Sequence, residues 1–245
     1  MSTRTQYEAD LAALKGSLAK MSQLSADAVE DALEALCTAD AEEAKGIIKG
    51  DTEVNRMERD IEHRCMTLLL RQQPVASDLR FISAAMKVVT DVERIGDHAA
   101  DIAEIVPHLA GVRKAGDPAV SRSIEMGRKA HKMLQDAMSA FAAEDEAAAK
   151  AVIDADDAVD YDFNTIKRML AAEIAADPGK VDAALDVLGL AVALEASSLS
   201  APFVPLPSVW SSAAVLPSVL SPAFALASPL GCPSFAVPVC PSLGL

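Results

Sequence analysis

Gln73-Pro74-Val75-Ala76-Ser77-Asp78-Leu79-Arg80 and, ten residues on, Asp91-Val92-Glu93-Arg94-Ile95-Gly96-Asp97-His98-Ala99-Ala100-Asp101 decide how the rest of the chain is read. Pro74 breaks whatever precedes it, and Ser77 or Asp78 can cap a new helix by accepting a hydrogen bond from a first-turn N–H. From there apolar residues recur at Leu79, Ile82, Met86, Val89, Ile95, Ala99, Ile102, Ile105 and Leu109, which is helical spacing. Pro107 is expected to kink or close the last turns near Gly111. Glu93, Asp97 and Asp101 stand four apart and stack along one flank. Like charges at that spacing cost a bare helix a few tenths of a kcal/mol per pair, so the stripe invites something positive over it.

Working outward, residues 5 to 36 read as one long helix with an apolar stripe at Leu11, Leu14, Leu18, Met21, Ala28, Ala32 and Leu36. Asp40 can cap a short helix from Ala41 to Ile48, which Gly50 is expected to stop. A second long helix is expected over Asp51 to Arg71, with Asp51, Asn55, Glu58 and Glu62 forming another oxygen-rich stripe. The pattern then begins again. Asp117-Pro118 caps a helix to about Ala142, and a short helix spans Asp145 to Ile153. Asp156-Asp157-Ala158-Val159-Asp160 opens a long helix just as Asp51-Thr52-Glu53-Val54-Asn55 does 105 positions earlier. After a turn at Asp177-Pro178-Gly179, Val181 to Glu195 repeats the helix that began at Ser77, and Glu195 takes the place of Glu93. This is an internal duplication. The fold class is all-α: two tandem antiparallel three-helix bundles, the second truncated, spanning residues 1–113 and 114–195.

Residues 196–245 contain no Asp, Glu, Lys or Arg and nine prolines. No apolar run there reaches the ~20 residues of a membrane helix before a proline interrupts it. A membrane-facing segment and a Pro-rich linker are weaker readings than the third: that this tail is the product of a shifted reading frame and not the sequence the fold was built on. The truncation is expected to uncover Ile124, Ile166 and Leu170, each forfeiting about 1.5–3 kcal/mol, and so to loosen the second bundle.

A net charge of −14 and a pI near 4.6 argue against nucleic acid and favour multivalent cations or basic partners. The N-terminus shows no signal-peptide pattern. Cys37, Cys65, Cys232 and Cys240 lack zinc-ligand spacing and read as buried free thiols. His63, His98, His108 and His131 do not pair at metal-binding spacing; His98 is either a ligand or partner of the acids or, as is commoner, an ordinary surface or satisfied histidine. There is no nucleophile arrangement and no Gly-rich phosphate loop.

The acids are the one constellation. If the helices holding Asp51 and Glu93 pack side by side, Asp51 and Asn55 face Glu93 and Asp97, with Asp101 a turn further on. Three carboxylates and a carboxamide suit Mg²⁺, Mn²⁺, Ca²⁺ or Fe. From spacing alone, a solvated acidic face is the commoner reading. Asp156 and Asp160 repeat the first pair, but Leu199 stands where a second Asp97 would, so the second set is incomplete. A di-metal oxidase or hydrolase would want Glu-x-x-His pairs on two helices; only Asp60-Ile61-Glu62-His63 comes near that. A purely structural helical module stays open beside it.

Asp51-x-x-x-Asn55-x-Met57-Glu58-x-x-Ile61, Gln73-Pro74-x-Ala76-x-Asp78-Leu79-Arg80 and Glu93-Arg94-Ile95-Gly96-Asp97-His98-Ala99 together resemble the PhoU family of phosphate-signalling regulators, over about residues 5 to 195. The resemblance implies two tandem three-helix bundles and a non-enzymatic, cytoplasmic, homodimeric adaptor. Such an adaptor joins the ATPase subunit of the phosphate ABC transporter to a membrane sensor histidine kinase and holds the phosphate-starvation response off. It also implies a bound metal or multinuclear cluster (Mg, Mn, Zn or Fe) at Asp51 with Asn55, Glu93 with Asp97, and Asp156 with Asp160; Asp101, next in the same acidic stripe, is a further candidate ligand. The chain departs from the family pattern where Glu195 is followed by Ala196-Ser197-Ser198-Leu199 instead of a second Glu-Arg-Ile-Gly-Asp-His run.

Overall fold

A computed structural model describes residues 3–72, 74, 77–112 and 116–200 of the chain. Their order is α1 (Thr3–Thr38), α2 (Ala41–Gln72), α3 (Ser77–Val112), α4 (Pro118–Ala143), α5 (Glu146–Ala176), a 3₁₀ turn (Pro178–Lys180) and α6 (Val181–Ser200). The architecture is all-helical, two sets of three, and the last helix of the second set is the short one. Helices α1, α2 and α3 pack on one another, as do α4, α5 and α6; α3 lies against α6 and α1 against α4. A single apolar core runs through both sets, from Leu14 in α1 to Leu194 in α6.

The expected short helices do not exist as separate elements. α2 continues through Gly46 and Gly50, and α5 is unbroken across residues 153–156. A helical glycine costs about 1 kcal/mol relative to alanine. One face of α2 outweighs that: Ala44, Ile47, Val54, Met57 and Ile61 are all buried on it, spanning the supposed break. α3 likewise runs past Pro107 to Val112, giving up the one hydrogen bond that proline cannot donate. The caps at Asp40 and Asp117 come out as expected. The Asp40 carboxylate accepts from the N–H groups of Glu42 (2.9 Å) and Glu43 (3.1 Å). Asp117 accepts from Ala119 (2.9 Å); Asp145, read from the sequence as the first residue of a helix, instead caps α5, accepting from Ala148 (3.0 Å). Asp78 instead accepts from the Tyr7 hydroxyl at 3.0 Å, tying the start of α3 to α1; burial first, then Asp78, pushes that phenol up to about 12.

The duplication is written into the backbone. Ala39 (φ 57°) and Glu144 (φ 54°) both take the left-handed conformation that ends the first helix of each set. They sit at the same offset as the caps Asp40 and Asp145 that follow them.

Three expectations about burial are corrected. Leu79, counted in the stripe of α3, is exposed, because the core-facing stripe begins a turn later at Ile82. Cys37 is exposed; Cys65 is buried, and burial pushes its thiol up to about 11. Cys232 and Cys240 lie outside the described residues. Ile124, Ile166 and Leu170 are buried, not uncovered. α6 packs on both α4 and α5, and its Val187, Leu190 and Leu194 are buried along with these three residues.

One core position differs in kind between the two sets. Met57 is buried in α2, and its counterpart 105 positions on is Asp162, which is 3 % exposed in α5. Its carboxylate accepts from Lys129 Nζ at 2.6 Å and Arg122 Nε at 3.1 Å, both on α4. A buried charge is tolerated when paired in this way. Periodicity could not find it, because an acid on an apolar face reads as a gap in the stripe. At the junction of the sets, Gly127 of α4 lets α1 and α6 approach closely: a Cβ there would stand 2.6 Å from Leu33 Cδ2 and 2.7 Å from Leu194 Cδ2.

Candidate functional site

α2 and α3 bring the two oxygen-rich stripes face to face. Asn55 Nδ2 donates to Asp51 Oδ2 at 2.7 Å, which leaves Asp51 Oδ1 and Asn55 Oδ1 buried without a partner. The close approach depends on Gly96, where a Cβ would meet Val54 Cγ1 at 3.1 Å and Asp51 Oδ1 at 3.6 Å. Burial pushes the Asp51 carboxyl up, and the negative charge of Asp97 adds to it, while the Asn55 amide holds it back. Glu93 is pushed up to about 7, first by burial and then by Asp97, Glu58 and Asp51. Asp97 and Asp101 are exposed. With Asp51, Ile48, Arg94 and His98 they line a cleft of about 360 Å³.

Asp51, Asn55, Glu93 and Asp97 therefore gather as the spacing implied, with Asp101 at the rim. Glu58 belongs with them. It stood in the sequence stripe but not among the ligand candidates, and burial, Glu62 and Asp97 push it up. Two buried oxygens without partners, beside carboxyls raised first by burial and then by one another's charge, make a donor set that a hard cation would satisfy. Binding would release the proton that Glu93, raised to about 7, holds. Among the described residues, no three His, Cys, Asp or Glu side chains are already drawn into a coordinating cage. The fit is one of donor chemistry and neighbourhood.

His98 is not a satisfied histidine. Neither ring nitrogen has a hydrogen-bond partner, and Nδ1 stands 3.6 Å from Asp101 Oδ2, beyond hydrogen-bond range. Asp91 was missed altogether. Its Oδ2 is buried without a partner, and burial lifts the carboxyl to about 6 against the pull of Arg94 and Lys87. A lone acid one turn from a larger cluster gives no signal in a linear reading.

The second set places Asp156, Asp160 and Glu195 together across α5 and α6. Burial raises Glu195, and Asp160 and Asp156 add to it. Asp156 differs from Asp51 in which oxygen is met: Ser198 Oγ lies 3.1 Å from Asp156 Oδ1, whereas Asn55 reaches only Asp51 Oδ2. Among the described residues, neither Asp156 nor Glu195 has a buried oxygen without a partner.

The comparisons with known proteins agree with this architecture. The PhoU domain matches twice, over residues 18–106 and 124–198. The chain is 35 % identical over 192 residues to the phosphate-specific transport system accessory protein PhoU homolog of Pseudomonas aeruginosa, covering 78 % of each. Its fold superposes on the crystal structure of PhoU from Pseudomonas aeruginosa with a TM-score of 0.77 at 32 % identity, covering 81 % of this chain and 94 % of that one. The phosphate transport system regulatory protein PhoU from Streptococcus pneumoniae gives 0.76 at 27 % identity, covering 85 % and 99 %. With two matched domains, six helices in the same arrangement and relatives covered over most of their length, the chain belongs to the PhoU family of phosphate-transport accessory proteins, a family of regulators and not of enzymes.

Proposed function

We propose that this protein is a negative regulator of phosphate uptake and of the phosphate-starvation response. It acts as a cytoplasmic, homodimeric adaptor between the ATPase subunit of the phosphate ABC transporter and a membrane sensor histidine kinase. The observation that carries the reading is the family match across both helical sets. Among the described residues no helix is long and apolar enough to cross a membrane, which suits a protein that works against membrane partners from outside the bilayer. A divalent cation or small cluster (Mg, Mn, Zn or Fe) sits between α2 and α3, held by Asp51, Asn55, Glu93 and Asp97, with Asp101 at the rim. The buried oxygens of Asp51 and Asn55 that lack partners support this part. Bound metal neutralises the acidic face and sets the surface that the partners meet.

The test is complementation in a strain lacking its own regulator, read by a starvation-induced phosphatase in high phosphate. The full chain should restore repression, and Glu93→Gln should weaken it. A pull-down of the ATPase subunit and kinase, with Mn²⁺ or with EDTA, then asks whether contact needs the cation. No repression and no capture of either partner would overturn the proposal.

A further inference from the structure

The two helical sets carry the same constellation with an exchange at its centre. Asp51, Val54 and Asn55 recur as Asp156, Val159 and Asp160; Glu93, Gly96 and Asp97 recur as Glu195, Ser198 and Leu199. At Gly96 there is no side chain, and the Asp51 oxygen 3.6 Å from where a Cβ would stand is buried with no partner. At the equivalent point Ser198 is fully buried. Its hydroxyl oxygen lies 3.1 Å from Asp156 Oδ1 and 2.8 Å from the Glu195 carbonyl oxygen. The single hydroxyl proton, shared with the Glu195 carbonyl, thus gives Asp156 Oδ1 a partner of the kind that Asp51 Oδ1 lacks.

We infer that position 96 in the first set and 198 in the second decides whether the buried carboxylate is open to a cation, so that this chain binds metal in its first helical set alone. Glycine leaves the carboxylate oxygen unclaimed at the helix–helix contact. Serine occupies that space and holds the oxygen with a neutral donor, and a cation would have to displace it. By sequence, Leu199 also stands where the first set has Asp97, so the matching carboxylate is absent. The duplicated site is then closed twice over: one carboxylate is capped and its neighbour is gone. The inference rests on the metal reading proposed for the first set.

Equilibrium dialysis of the full chain against Mn²⁺, with metal counted per chain and helix content followed by circular dichroism, tests it. Wild type should bind at the first set only: Glu93→Gln should lose that binding, and Asp156→Asn should keep it. Gly96→Ser should weaken Mn²⁺ by about tenfold or more, the range seen when a group around a metal ligand is changed. Gly96→Ala adds the crowding against Val54 without the hydroxyl and should cost no more than a few-fold. The double change Ser198→Gly with Leu199→Asp should add a second Mn²⁺. Binding that Asp156→Asn lowers as much as Glu93→Gln does would overturn the inference while leaving the metal reading intact. No Mn²⁺ on the wild-type chain would overturn both.

Discussion

The acid set between α2 and α3 and the one between α5 and α6 descend from one pattern, yet they are finished differently. The first leaves Asp51 Oδ1 and Asn55 Oδ1 buried and unclaimed. The second gives Asp156 a serine donor. The core shows the reverse exchange, with Met57 in the first set and a buried, doubly paired Asp162 in the second. A duplicated scaffold can therefore keep its helices and capping turns while only one copy keeps the unsatisfied groups that call for a ligand.

The largest effects should come from the matched core pair Ile61 and Ile166, which are 1 % and 0 % exposed. Truncating either to Ala should cost about 2–5 kcal/mol in denaturant unfolding. Equal costs would show that the shorter α6 still closes its bundle. A much cheaper Ile166→Ala would mean that the second set is loosely packed.

Next comes the exchanged core position. Asp162→Ala leaves Arg122 and Lys129 without their shared acid and should cost about 2–3 kcal/mol, below the 3–5 of a fully buried pair because both cations reach solvent. Asp162→Met, which copies the first set, should cost less than Asp162→Ala in the same thermal melt. If the methionine is the worse of the two, the triad is not simply a substitute for apolar packing.

Gly127→Ala should cost about 1–3 kcal/mol, because its methyl has to push Leu33 and Leu194 apart where the sets meet.

The pH dependence sharpens the contrast between the two acid sites. The Glu93 carboxyl rises from its ordinary 4.5 to about 7. Below pH 4.5 it is protonated whether the chain is folded or not. Between 4.5 and about 7 the unfolded chain gives up the proton first, so raising pH favours unfolding; above 7 the effect is constant. In EDTA the melting temperature should fall across that window. Glu93→Gln should make the fall shallower, with Asp91, Asp51, Glu58 and Glu195, all raised as well, adding in the same direction, and saturating Mn²⁺ should reduce it. The smallest effect belongs to the paired turns. Ala39→Gly and Glu144→Gly each relieve a left-handed residue and should stabilise by about 1 kcal/mol or less, by similar amounts.

Much of this was legible in the sequence. Asp40, Asp117 and Asp145 announce helix starts because a short acceptor before an apolar period has few other uses. The repeat across 105 positions shows through Asp51 and Asp156. What failed were local stop signals. Gly50 looks like a terminus, but buried residues on both sides of it, Ala44 and Ile47 before and Val54, Met57 and Ile61 after, override it. Leu79 shows the opposite error, a period extended one turn beyond the core. The distinction between Gly96 and Ser198 was not readable, since a glycine's role in close approach exists only once the facing helix is in place. The sequence shows the missing carboxylate at Leu199, one residue from the serine that meets Asp156.

Anomalous diffraction at the manganese edge, from crystals of the full chain grown with Mn²⁺, would locate every bound ion in one experiment. One peak between α2 and α3, within coordinating distance of Asp51, Asn55 and Glu93, and none beside Asp156, is the expected result. A peak at Asp156 and Glu195, or none at Asp51, would contradict it.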